Sequence, residues 1–199
     1  MGARLEVDWV VSHLRDFQNA LLVLNSTDTT SFPRINRWVT DIEFSGNVLK
    51  VAAWFDESRS LYSVSVAVLN TEHRLIAAMG RQIAAPGTVL CAELAAMVEG
   101  IRWYIGFCSE ELNMVSDSMD ALHALNVHDD YHGPEGVVIT ELTELLATVQ
   151  VRGLFHIARK DNILAHSLAR FASSNSVPQA LFESGFPFWI EEYAQDEAI

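Results

Sequence analysis

The sequence predicts an α/β fold: a five-stranded mixed sheet, three antiparallel strands and then two parallel ones, flanked by helices. Two observations predict it. Residues 47–83 carry three consecutive strand-like runs joined by short links, the pattern of an antiparallel meander. Beyond Pro86-Gly87 the apolar period becomes helical, and helices then alternate with two further short apolar runs. A strand that follows a helix must cross back over the sheet, and right-handed crossovers make the last two strands parallel to the first.

Taken in order, residues 6–24 place Trp9, Val10, Leu14, Phe17, Leu21 and Leu24 on one side of a helix. NSTDTTSFPRINRW (25–38) follows, small, polar and interrupted by Pro33, and reads as a linker. The strands are NVLKVAAWF (47–55), LYSVSVAVLN (61–70), which alternates with period two, and HRLIAAMGRQI (73–83). VLCAELAAMVEGIRWYIGF (89–107) is the strongest helix; LNMVS (112–116) is a short strand, and DSMDALHAL a brief helix. The loop 127–136 leads to a helix over 137–149, a strand over 151–158 and a helix over 161–174. The tail from Ser176 carries Phe182, Phe186, Phe188 and Trp189, too apolar for a free end, and is expected to dock on the domain, beside the N-terminal helix. The chain thus divides into an N-terminal helix and linker (1–45), an α/β domain (46–175) and an aromatic, acidic extension (176–199).

Composition narrows the function classes. Thirteen Lys and Arg against 26 Asp and Glu leave a net charge of −13, while half the 199 residues are apolar. This is globular composition, and its average charge excludes affinity built simply on releasing many phosphate counterions. Cys91 and Cys108 are too few for a disulfide framework and read as reduced thiols of an intracellular protein. Glu6, Asp8 and Asp16 interrupt the start, which suits neither a signal nor a transit peptide. Gly2 meets the first demand of a myristoylation signal, but Glu6 stands where Ser or Thr is needed. No apolar run approaches the roughly 18 residues of a membrane helix. A soluble, intracellular protein with no membrane partner is expected.

The candidate chemistry lies in acids at element ends. Glu93 is placed in the first turn of the long helix, on the side of Met97 and Gly100, where the helix dipole can stabilise it. Asp117 directly follows the strand LNMVS and is positioned to N-cap the next helix. His156 is on the last strand, and Asn162 opens the last helix, where it can cap. Each residue alone has a purely structural use.

In combination, four stretches carry a resemblance: KVAAWFDES, VAVLNTEHRLIAAM, AELAAMVEGIRWYIGFCSEELNMVSDSMDAL and FHIARKDNILAHSLARFA. Over about 46–175 the chain resembles the ribonuclease H type 1 domain, in the plant form derived from non-LTR retrotransposon reverse transcriptases. The resemblance implies a hydrolase acting on the RNA strand of an RNA–DNA hybrid through carboxylates that hold two Mg²⁺ or Mn²⁺ ions. Such ions activate water and stabilise the attacking and leaving oxygens of an in-line displacement. Carried onto this chain, it implies Glu93 and Asp117 as catalytic and metal-binding residues, His156 as the mobile-loop histidine, and Asn162 as the brace of that loop. Arg159 and Lys160, just before the last helix, are the best phosphate-contacting pair.

Two of the family's carboxylates are replaced. Its first aspartate falls on Ala52 or Trp54, depending on alignment, and its last on His166. His166 ligates Mg²⁺ weakly by nature, and Asp56, about 7–13 Å further along the strand, is a weak substitute. Two Mg²⁺ would bring four positive charges against the two negative ones of Glu93 and Asp117, so the metal site is expected to be impaired. Three functions follow: a working ribonuclease H, a degenerate one that still binds RNA–DNA hybrid or other nucleic acid, and a catalytically dead module for a protein partner. His123, His128 and His132, with Asp129 and Asp130, read as a solvated loop region, and Trp103 as core or an interhelix contact.

Overall fold

The computed structural model describes residues 35–36, 44–56, 58–59, 61–84, 87–108, 111–126, 131–174 and 179–196. The expected helix over 6–24, most of the linker, and His128, Asp129 and Asp130 lie outside the described residues. The strands are β1 (Ile35–Asn36), β2 (Asn47–Asp56), β3 (Leu61–Leu69), β4 (Leu75–Ala84), β5 (Leu112–Ser116), β6 (Val151–His156) and β7 (Gln179–Phe182). The helices are α1 (Val89–Phe107), α2 (Met119–Asn126), α3 (Pro134–Thr148), α4 (Ile163–Ser174) and α5 (Phe188–Asp196), with a 3-10 turn at Arg159–Asp161.

The strands lie in the order β1-β6-β5-β2-β3-β4-β7. As the sequence predicts, β2, β3 and β4 are antiparallel neighbours, while β5 and β6 run parallel to β2. The expected count of five is corrected to seven among the described residues. β1, from the linker, pairs parallel with β6, and β7, from the tail, pairs antiparallel with β4. Two- and four-residue strands are too short to show a period in sequence; the backbone bonds of a neighbouring edge define them.

Register sorts the sheet into two faces, since residues directly opposite across a ladder share a side. One face carries the rungs Leu49–Val68–Ala77 and Val51–Val66–Met79, with Met114 opposite Leu49. α1 covers it with Ala92, Leu94, Met97, Val98 and Ile101, and α3 adds Ile139, Leu142, Leu145 and Leu146. Gly100 lets α1 settle onto β2: a Cβ there would come within 2.9 Å of Val51 Cγ1. The opposite face carries Lys50–Ala67–Ala78, Ala52–Ser65–Gly80 and Trp54–Ser63–Gln82, and α4 lies across it.

Period-two alternation is common in strands with one face in water, but in β3 Ser63 and Ser65 are fully buried. β3 is a central strand covered on both sides, so its small polar residues make room for α4 instead. Ser65 Oγ donates to Ala165 O at 2.5 Å and Gln82 Nε2 to Ala172 O at 2.5 Å. Phe182, Phe186 and Trp189 pack against a cluster of Ala67, Ala78, Leu164, Leu168, Ile190 and Ala194. Among the described residues no helix is long and apolar enough to cross a membrane. Both cysteines are free thiols, Cys91 buried and Cys108 half-buried.

Candidate functional site

The site forms where β2 and β5 end beside the start of α4. The last pair of their parallel ladder is Val51–Ser116, so one step further Ala52 stands level with Asp117. That register places Ala52 at the position facing Asp117. Trp54 is two residues, roughly 7 Å, further out on the same side.

Asp117 is held from two directions. Asn162, fully buried, donates from Nδ2 to Asp117 Oδ1 at 2.7 Å and to Val51 O at 2.9 Å, tying β2 to the residue after β5. His166 Nε2 donates to Asp117 Oδ2 at 2.7 Å. Burial alone would raise the Asp117 carboxyl, but the hydrogen bonds from His166 and Asn162, with the His166 charge, hold it below the usual range. The capping roles read from sequence go elsewhere. Ser118 Oγ accepts from Ala121 N and caps α2. Asn162 closes the 3-10 turn, and its carbonyl accepts from His166 N.

Glu93 comes from the other side of the sheet. It is the fifth residue of α1, not part of the first turn, where Thr88 Oγ1 accepts from Cys91 N as the cap. Only 8% exposed, Glu93 has its pKa pushed up to about 8 by burial and then by the Asp117 charge. Arg159 and the Ala53 backbone N–H pull the other way and do not balance it. Glu93 Oε2, Asn162 Oδ1 and His166 Nδ1 are buried without a hydrogen-bond partner among the described residues.

The remaining candidates are dispersed. His156 ends β6, opposite Ser116. Arg159 and Lys160 are exposed on the 3-10 turn. Asp56 is the last residue of β2, four residues from Ala52, and accepts from Ser58 Oγ at 2.6 Å and Arg59 N at 3.3 Å in the turn that follows. His166 is bonded to Asp117, but among the described residues no three His, Cys, Asp or Glu are grouped to hold a metal, so Glu93, Asp117 and His166 do not form the expected metal-bridging set. His123 and His132 are exposed, and Trp103 packs against the α1-side core. One contributor went unread in sequence. Lys50, almost buried, donates from Nζ to Asp161 O at 2.9 Å and fixes the turn before α4; a lysine amid VLKVAAW was its signal.

A family model described as reverse transcriptase-like matches residues 50–172, more than half the chain. The chain belongs to this reverse transcriptase-like family. Its fold is ribonuclease H-like. A ribonuclease H1 from the halophilic archaeon Halobacterium salinarum superposes with a TM-score of 0.57 at 19% identity, covering 65% of this chain and 96% of that one. The N-terminal ribonuclease H domain of a Mycobacterium tuberculosis protein, solved as a maltose-binding-protein fusion, gives 0.56 at 15%, covering 64% and 98%. A third structure, LC11-RNase H1 in complex with an RNA/DNA hybrid, gives 0.54 at 14%, covering 61% and 92%. No curated protein matches the chain. At these identities the structural likeness carries the fold, and function is argued from the site.

Proposed function

We propose that this protein is a ribonuclease H-like nucleic-acid-binding module that receives an RNA–DNA hybrid and hydrolyses it poorly or not at all. The plant, retroelement-derived form is the branch its motifs resemble. The observation that carries the reading is the closure of Asp117: both its oxygens already accept hydrogen bonds, from Asn162 and His166. Two Mg²⁺ ions require several oxygen donors, and the donors present do not fit them. Ala52 offers none, and His166 offers a nitrogen turned towards Asp117, which leaves Glu93 as the one further carboxylate beside Asp117.

Binding is supported by how the cations are distributed. Arg74, Arg81, Arg102 and Arg152, away from the site, are paired with Glu72, Glu99, Glu141 and Glu111. Arg59, Arg159, Lys160 and Arg170, around α4, are exposed and make no salt bridge with another described residue. A net charge of −13 therefore coexists with four exposed cations around α4, interspersed with Asp56 and Asp161.

The test uses a labelled RNA–DNA hybrid. Anisotropy should report binding that weakens between about 50 and about 200 mM salt. Cleavage in Mg²⁺ should stay within about tenfold of that of Asp117→Asn, and the double variant Ala52→Asp/His166→Asp should gain at least about tenfold over the unaltered chain, equivalent to about 1.4 kcal/mol of barrier. Mg²⁺-dependent turnover by the unaltered chain, abolished in Asp117→Asn, would overturn the impaired-site reading. A second reading, a protein-docking module, is supported by Leu181 and Phe188, exposed on β7 and α5; absence of hybrid binding at low salt would favour it.

A further inference from the structure

We infer that Trp54 and Arg170 form a stacking platform for an unpaired nucleobase, one rung outward from the Asp117–His166 pair. The inference rests on the nucleic-acid reading above and names the part of the ligand that this end of the site takes.

The placement follows from two periodicities. Ala52 and Trp54 share a side of β2 two residues apart, and His166 and Arg170 share a side of α4 one turn apart. The helix pair crosses the strand pair, so His166 falls beside Asp117, level with Ala52, and Arg170 falls over Trp54. The guanidinium carbon of Arg170 is 6.0 Å from the Trp54 ring centroid, the outer range of a cation–π contact. Trp54 remains 40% exposed, leaving ring surface open to a ligand.

Singly exposed apolar side chains such as Ile105 and Val137 are ordinary surface. Trp54 differs in its neighbours. Trp189 is engaged with Phe171 at 5.2 Å, and Trp103 packs against the core, whereas Trp54 lies under the guanidinium of Arg170. Arg59 Nη1 donates to Ser173 O at 3.2 Å, anchoring one cation at the end of α4; Arg159 and Lys160 stand before its start. Cations at both ends of a helix about 18 Å long, with an aromatic face between them, suit a phosphate backbone with one base turned inward. Bases within a duplex have their faces covered by neighbours, so the base that stacks here belongs to a single-stranded segment.

Anisotropy with a blunt RNA–DNA hybrid, the same hybrid carrying a short single-stranded tail, and a free single strand tests the proposal. Trp54→Ala should weaken the tailed and single-stranded probes about tenfold and the blunt hybrid less than about twofold. Trp54→Phe keeps a ring and should stay within about threefold of the unaltered chain on every probe; it also secures the result should the alanine variant misfold. Tryptophan emission should be quenched by the tailed probe in the unaltered chain and not in Trp54→Phe. Equal binding of the tailed probe by the unaltered chain and a folded Trp54→Ala overturns the platform and leaves the nucleic-acid reading standing. Trp54→Phe as weak as Trp54→Ala also overturns it. Failure of the unaltered chain to bind any probe overturns both.

Discussion

The two faces of the sheet are built on different principles. Under α1, branched aliphatic side chains of β2, β3 and β4 interlock with Leu94, Met97 and Ile101, and the contact is held by burial. Under α4 the sheet offers Ala52, Ser63, Ser65, Ala67, Ala78 and Gly80, and the helix comes close enough for side chains to reach its backbone. Ser65, Gln82 and Arg59 donate to carbonyls of α4, and Lys50 to one in the turn before it. Both helices bury apolar side chains, and the second is held in addition by oriented bonds to its backbone. The second is the helix that carries His166 and Arg170.

Variants can break this contrast. Leu94→Ala should have the largest effect: Leu94 is fully buried on the aliphatic face, and such truncations cost about 2–5 kcal/mol, read as a lower denaturant midpoint. Glu93→Gln should follow, with a pH signature. The Glu93 carboxyl has the ordinary value of about 4.5 when unfolded and is pushed up to about 8 by burial when folded. Its raised folded pKa contributes stability that is full below the unfolded value and lost as pH rises through about 4.5 to about 8. Glutamine lacks this loss, so the variant should gain about 2–4 kcal/mol relative to the unaltered chain between about pH 5 and pH 8; parallel pH dependences would refute it.

Gly80→Val tests the closeness of α4. A Cβ at Gly80 already meets Ala172 Cβ and Leu168 O at 3.1 Å, so the larger side chain should destabilise by about 1–3 kcal/mol in thermal unfolding. Ser65→Ala should be the mildest. It removes the bond to Ala165 O and costs about 1 kcal/mol, and it should perturb the amide signals of α4 more than those of α1.

The aliphatic face was largely legible. The span 89–107 of α1 and the span 112–116 of β5 follow directly from period and composition. The α4 face was harder, because its determinants are small residues and hydrogen bonds between distant segments. The alternation of β3 does not show that Ser63 and Ser65 are buried against α4, and a lysine inside an apolar strand carried no partner in the sequence. Glu93, Asp117, Asn162 and His166 could be assembled through the order of motifs. Which of Ala52 and Trp54 stands level with Asp117 required register, which a lone strand does not supply.

The short outer strands have a consequence for solution behaviour. A sheet ending at β4 and β6 would present open backbone donors and acceptors along both margins, a template on which another chain can pair. β7 covers Ala78 to Arg81 on one margin, and β1 covers Leu154 and Phe155 on the other. Trimming the chain to residues 46–175 would strip both covers. The trimmed protein should therefore self-associate through its margins as concentration rises, even with every residue around Asp117 in place.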